Sequence, residues 1–98
     1  PLESDVLAYA LMGQLERLSI AFAAAPDRLD LLRSLNGVAQ LARELPFEVN
    51  LWKTQNVYFR LLRSVYLEMC ARSEGDPAVL EWTGQFRLLG ENLGFEVQ

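Results

Sequence analysis

The segment Asn50-Leu51-Trp52-Lys53-Thr54-Gln55-Asn56 gathers an indole, an ammonium and two amides within two helical turns. Such a set can hold a sugar or the backbone of a partner. The aromatic face supplies apolar contact, and the amides both donate and accept hydrogen bonds. Tyr58 and Phe59 follow directly, so the candidate binding or interface residues are Trp52, Lys53, Gln55, Asn56, Tyr58 and Phe59. A structural reading stands beside this one. Asn50 would cap a helix, Trp52 would fill the core, and Gln55 and Asn56 would satisfy backbone groups of the preceding loop. Tyr58, Phe59 and Tyr66 suit a core as well as a binding plate. The residue types alone leave both readings open.

Catalytic chemistry has little to work with. The chain has no histidine and one cysteine, Cys70. A Ser–His or Cys–His pair and a histidine metal ligand are therefore out of reach. No phosphate-binding glycine loop occurs. Cys70 sits among apolar residues and reads as a small buried hydrophobe. Glu44 and Glu48 flank Pro46, and Glu68 lies further on. Nothing pairs them across a sugar cleft, as glycoside hydrolysis requires, and surface charge accounts for them. The expectation is no catalytic residue, no metal and no cofactor.

The bulk numbers agree with a helical domain. Ninety-eight residues make one domain, and 51% of them are apolar. Leu (19) and Ala (10) outnumber Val (7), Ile (1) and Thr (2), which favours helix over sheet. A net charge of −4 without a basic run disfavours nucleic acid and a basic membrane-surface helix. Charged residues break every apolar stretch short of the ~18 residues of a membrane span. Neither a signal peptide nor a disulfide is expected, which places the protein in the cytoplasm. Because the chain opens on Pro1, it reads as a piece of a longer protein.

Four helical segments position these residues. The first, about Asp5 to Ala25, is capped by Ser4 or Asp5, carries Leu11, Leu15, Leu18, Phe22 and Ala25 in one stripe, and stops at Pro26. The second, about Asp27 to Glu44, is capped by Asp27. Its stripe is Leu31, Leu35, Val38, Leu41 and Leu45, with a weak point at Asn36-Gly37, and Pro46 stops it. The third runs from about Leu51 to Arg72 and is apolar on most sides, as expected of a central helix or one with a face to spare. Asp76-Pro77 opens the fourth, whose stripe is Val79, Trp82, Phe86, Leu89 and Leu93, and Gly94 ends it. The fold class predicted is all-α, a single four-helix antiparallel bundle with short loops. Its core should contain Leu15, Leu18, Leu35, Leu61, Val65, Phe86 and Leu89.

The stretch from Leu45 to Tyr58, LPFEVNLWKTQNVY, resembles a segment near the C-terminal end of family-57-like glycoside hydrolases. Phe86 to Gly94, FRLLGENLG, resembles their closing helix. These α-amylase or α-mannosidase homologues bear an uncharacterised domain after the catalytic barrel. The resemblance covers roughly the second half of the chain and transfers no catalytic residue. It implies a non-catalytic accessory module that packs on or regulates a carbohydrate-active protein, with another domain of its parent as partner. The alternative is a stand-alone interaction or oligomerisation domain. Either way, a docking patch is expected around Trp52, Tyr58 and Phe59.

Overall fold

A computed structural model describes residues 2–72 and 74–95, with side chains from Ser4 onward. Ser73 of the expected turn and residues 96–98 of the expected tail lie outside the described residues. The fold is all-α. In chain order the helices are α1 (Leu2–Ala24), α2 (Leu29–Glu44), α3 (Trp52–Leu62), α4 (Val65–Arg72) and α5 (Pro77–Asn92). The described residues thus hold five helices where the sequence predicts four. The long third segment is interrupted at Arg63-Ser64, where the Ser64 N–H bonds the Leu61 carbonyl in a tighter turn. Ser64 Oγ also donates to the Arg60 carbonyl at 2.9 Å. A serine hydroxyl bonding back one turn competes with the helical ladder and bends it, and the β-branched Val65 follows at once.

The core is one contiguous cluster drawn from all five helices. Phe86 of α5 lies at its centre, stacked on Tyr58 (4.2 Å between ring centroids), Tyr66 (5.0 Å) and Trp82 (5.0 Å). Offset stacking of this kind adds about 0.5–1.5 kcal/mol per pair beyond burial. The α5 stripe of Val79, Trp82, Phe86, Leu89 and Leu93 is wholly buried, as its spacing predicts. Both ends of α5 are closed. Asp76 accepts from the Ala78 N–H at 3.0 Å, and Pro77 opens the helix. At the other end the Phe95 N–H reaches the Gly90 carbonyl and the Gly94 N–H reaches Glu91. That paired arrangement needs a left-handed residue, and Gly94 supplies it at φ +90°.

Several expectations shift. Helix α1 begins at Leu2, so Ser4 and Asp5 lie inside it and do not cap it. The N-cap of α2 is Arg28, not Asp27, and it offers no side-chain bond. Arg28 instead pairs with the first-turn Asp30 at 2.6 Å. The buried face of α2 is Leu32, Leu35, Asn36, Ala39 and Ala42, leaving Leu41 exposed. The rotation follows from Asn36, whose amide donates to the Gln85 backbone carbonyl and side-chain oxygen, each at 2.9 Å. Small Ala39 and Ala42 then line the contact, while the larger Leu31 and Val38 sit at its margin. Of the seven expected core residues, Leu18 and Val65 are only partly buried, and the other five are buried.

Helix α1 also corrects the membrane argument. Its Ser4–Ala24 stretch is long and apolar enough to cross a membrane by length and composition, and only 22% of its most apolar window is buried in the fold. One charged pair, Glu16-Arg17, is all that marks its middle. Helix α1 is tied to α3 by Ser19, whose hydroxyl donates to the Leu15 carbonyl (2.6 Å) and accepts from the Thr54 hydroxyl (2.9 Å).

Candidate functional site

Helix α3 divides the six candidate residues into two sets. Its inward face is Thr54, Tyr58 and Leu61. Tyr58 is 1% exposed, donates to the Phe86 carbonyl at 2.8 Å and also stacks on Phe95. Burial pushes its phenol well above the ordinary tyrosine range. The expected docking role of Tyr58 is thereby corrected: it anchors the core. Gln55 turns the same way and donates to the Leu93 carbonyl at 2.8 Å, satisfying the C-terminal end of α5. The loop preceding α3, its expected partner, is served by Asn50, whose side chain accepts from the Trp52 N–H at 2.9 Å. Asn50 does so from one residue ahead of the actual N-cap, Leu51.

The outward face keeps the rest together. Trp52 is 65% exposed and Phe59 is 47% exposed. Asn56 lies between them and Arg63 continues the row at spacings of four, three and four, which is one stripe of a helix. Lys53 and Arg60 flank that stripe on one side. Lys53 Nζ meets Glu16 Oε1 of α1 at 3.0 Å, and the Arg63 guanidinium lies over the Phe59 ring at 5.4 Å. Beyond the turn, Leu67 of α4 is also exposed. Sequence reasoning found Trp52, Lys53, Asn56 and Phe59. It missed Arg60 and Arg63, although a period of 3.6 starting from Trp52 would have reached Arg63.

Trp52 also borders a groove of about 930 Å³ between α1 and the α2–α3 link, lined by Met12, Leu45, Phe47, Val49 and Leu51 among others. It is open to solvent along its length, so it offers a wall and not an enclosed chamber.

The carboxylates raised by the sequence lie apart from this face. Glu44, Glu48 and Glu68 are all exposed. Among the described residues, no three of His, Cys, Asp and Glu gather closely enough to hold a metal ion. Cys70 is partly buried against the core and lies one turn beyond Tyr66. The Tyr66 hydroxyl accepts from Arg87 Nε at 2.8 Å, and burial is the main cause raising the Tyr66 phenol. These contacts hold α4 on α5. The arrangement on α3 can present apolar rings, an amide and cations to something that lies along it.

The chain matches no family model, no curated protein and no solved structure. What is defined here is an all-α helical domain with an exposed aromatic and basic stripe on α3.

Proposed function

We propose that the chain is a non-catalytic helical module whose α3 outward face docks on another protein. The observation that carries this reading is the exposure of Trp52 and Phe59 on one stripe. Large aromatics left in water at helical spacing are unusual where nothing covers them, and Trp is among the residues that anchor protein interfaces. Within this reading, α3 and α4 act as one bent rod, and the bundle is a four-helix antiparallel one.

The partner we propose is a carbohydrate-active, glycoside hydrolase-like domain, which the module packs on or regulates in the cytoplasm. Support comes from the resemblance of residues 45–58 and 86–94. The second reading, a stand-alone interaction or oligomerisation domain, uses the same stripe with a different occupant.

Co-expression of the chain with the protein encoded beside it tests the docking. The expected outcome is a complex that Trp52→Ser with Phe59→Ser weakens at least about tenfold, with circular dichroism unchanged. Turnover of α-glucans and α-mannosides by that partner, with and without the chain, tests the carbohydrate link. A complex indifferent to both substitutions would sink the docking face. A partner with no action on sugars would leave the second reading.

A further inference from the structure

The stripe on α3 has a charge signature that the exposed rings alone do not explain. From residue 49 to residue 67 the chain contains Lys53, Arg60 and Arg63 and no acidic residue. That segment is +3 in a chain of −4, which leaves −7 for the remainder. Every basic group of the segment reaches the outward side of α3 or its terminal turn, and all three are exposed. Among the described residues neither Arg60 nor Arg63 takes part in an ion pair. Lys53 does, but its pair with Glu16 is exposed on both sides. Such a pair is worth little and exchanges readily.

The geometry of the rings points the same way. Trp52 and Phe59 are seven residues apart, about 10 Å along the helix at 1.5 Å per residue. Arg63 covers one face of Phe59, so a guanidinium and a ring form one composite contact. An occupant must therefore offer apolar groups to Trp52 and Phe59 and anionic groups to Arg60 and Arg63 within the same short span.

We infer that the outward face of α3 binds a short acidic protein segment carrying apolar anchors. This inference rests on the docking reading above and names the chemistry of the partner. Polyanions fit less well. Three cations release few counterions from a nucleic acid, and the −7 on the rest of the molecule opposes a long phosphate chain or an anionic membrane. A short acidic segment feels mainly the nearby cations, +2 once Glu16 is counted against Lys53, Arg60 and Arg63, because screening at physiological salt acts over about 8 Å.

Selection of a displayed library of random twelve-residue peptides against the immobilised chain tests the inference. Enriched peptides should carry several Asp or Glu beside an aromatic or aliphatic residue. A synthetic copy, followed by fluorescence anisotropy, should bind at least about tenfold more weakly to the Arg60→Glu, Arg63→Glu double variant. Its binding should also weaken as salt rises. Circular dichroism of the variant should match the parent, because both side chains lie in solvent. Enrichment of neutral or basic peptides, or none at all, overturns the inference. So does peptide binding that the double reversal leaves unchanged. A twenty-nucleotide oligothymidine or a phosphatidylserine vesicle that binds more tightly than the peptide overturns it in favour of a phosphate-binding face. If Trp52→Ser with Phe59→Ser abolishes the partner complex while the charge reversal does nothing, the docking reading stands and the acidic chemistry falls.

Discussion

Helix α1 is the more apolar of the two, with 15 apolar residues of 23 against 7 of 16 in α5, yet it is α5 that buries its apolar stripe completely. In α5, polar residues such as Glu81, Gln85 and Glu91 separate the apolar ones, and the five-membered stripe of Val79, Trp82, Phe86, Leu89 and Leu93 disappears into the core. In α1 apolar residues occupy every side. Leu11, Leu15 and Phe22 are buried, while Val6, Ile20 and Tyr9 (81% exposed) face water. The ends differ too, since α5 is capped at both and Ser4 and Asp5 of α1 cap nothing. Amphipathic contrast, more than apolar content, tells a helix which way to face. Where the contrast is missing, the helix acquires its orientation from neighbours, here through Ser19 and Thr54.

The comparison is broken most severely at Phe86. Phe86→Ala removes a ring stacked on three others and should cost about 3–5 kcal/mol in denaturant unfolding, whereas Tyr9→Ala should stay within about 0.5 kcal/mol. Equal losses would mean that α1 is covered on its outer side in solution. Leu15→Ala sharpens the point, because Leu15 is the buried side of the same helix. A loss of about 2–5 kcal/mol is expected there, and a loss as small as that of Tyr9→Ala would mean that α1 is rotated.

The two helix starts give a smaller contrast. Asp76→Ala should cost about 0.5–2 kcal/mol by removing a cap. Ser4→Ala should cost nothing, since alanine suits a helix interior better. A measurable loss at Ser4 would restore it as a cap and shorten α1.

Tyr58 adds a pH dependence of similar size. Its folded phenol holds its proton above the unfolded value of about 10. The stabilisation is therefore complete below pH ~10 and is lost as pH rises beyond it, because the unfolded chain ionises first. Tyr58→Phe should cost about 0.5–1.5 kcal/mol at neutral pH and flatten the alkaline decline. An unchanged decline would assign it elsewhere, first to Tyr66, whose phenol is also raised by burial.

The smallest effects belong to glycines. A methyl group at Gly84 of α5 meets nothing within 4 Å, so Gly84→Ala should stabilise by about 0.4–1 kcal/mol. At Gly13 of α1 it meets Arg17 Nη1 at 3.3 Å. The guanidinium must move, and the gain should be smaller. The reverse order would show that Arg17 is already mobile.

The same contrast explains how far residue order alone reached. The α5 stripe, its Asp-Pro opening and its glycine end were all legible, because each is a local signal. Stops at Pro26 and Pro46 were legible for the same reason. The break at Ser64 was not, since a serine that bonds backward looks like any surface serine until its hydroxyl direction is known. The orientation of α2 depended on Asn36 finding Gln85, a contact 49 residues away in the chain. At the candidate site, the 3.6 period put Trp52, Asn56 and Phe59 on one face. It could also have excluded Tyr58, one position out of register, had apolar character not been weighed above position. Gln55 required knowledge of where α5 ends.

The two tryptophans have a consequence for how this protein can be watched. Trp82 is 2% exposed, with its indole N–H donating to the Pro26 carbonyl at 2.8 Å, whereas Trp52 stands in water. Their emission should therefore separate: a blue-shifted component shielded from acrylamide is expected from Trp82, and a red-shifted component open to it from Trp52. Unfolding moves the first and leaves the second nearly still. Anything that settles on α3 does the opposite. One intrinsic fluorescence spectrum, without a label, thus carries two independent channels, one for the integrity of the bundle and one for the occupancy of its face.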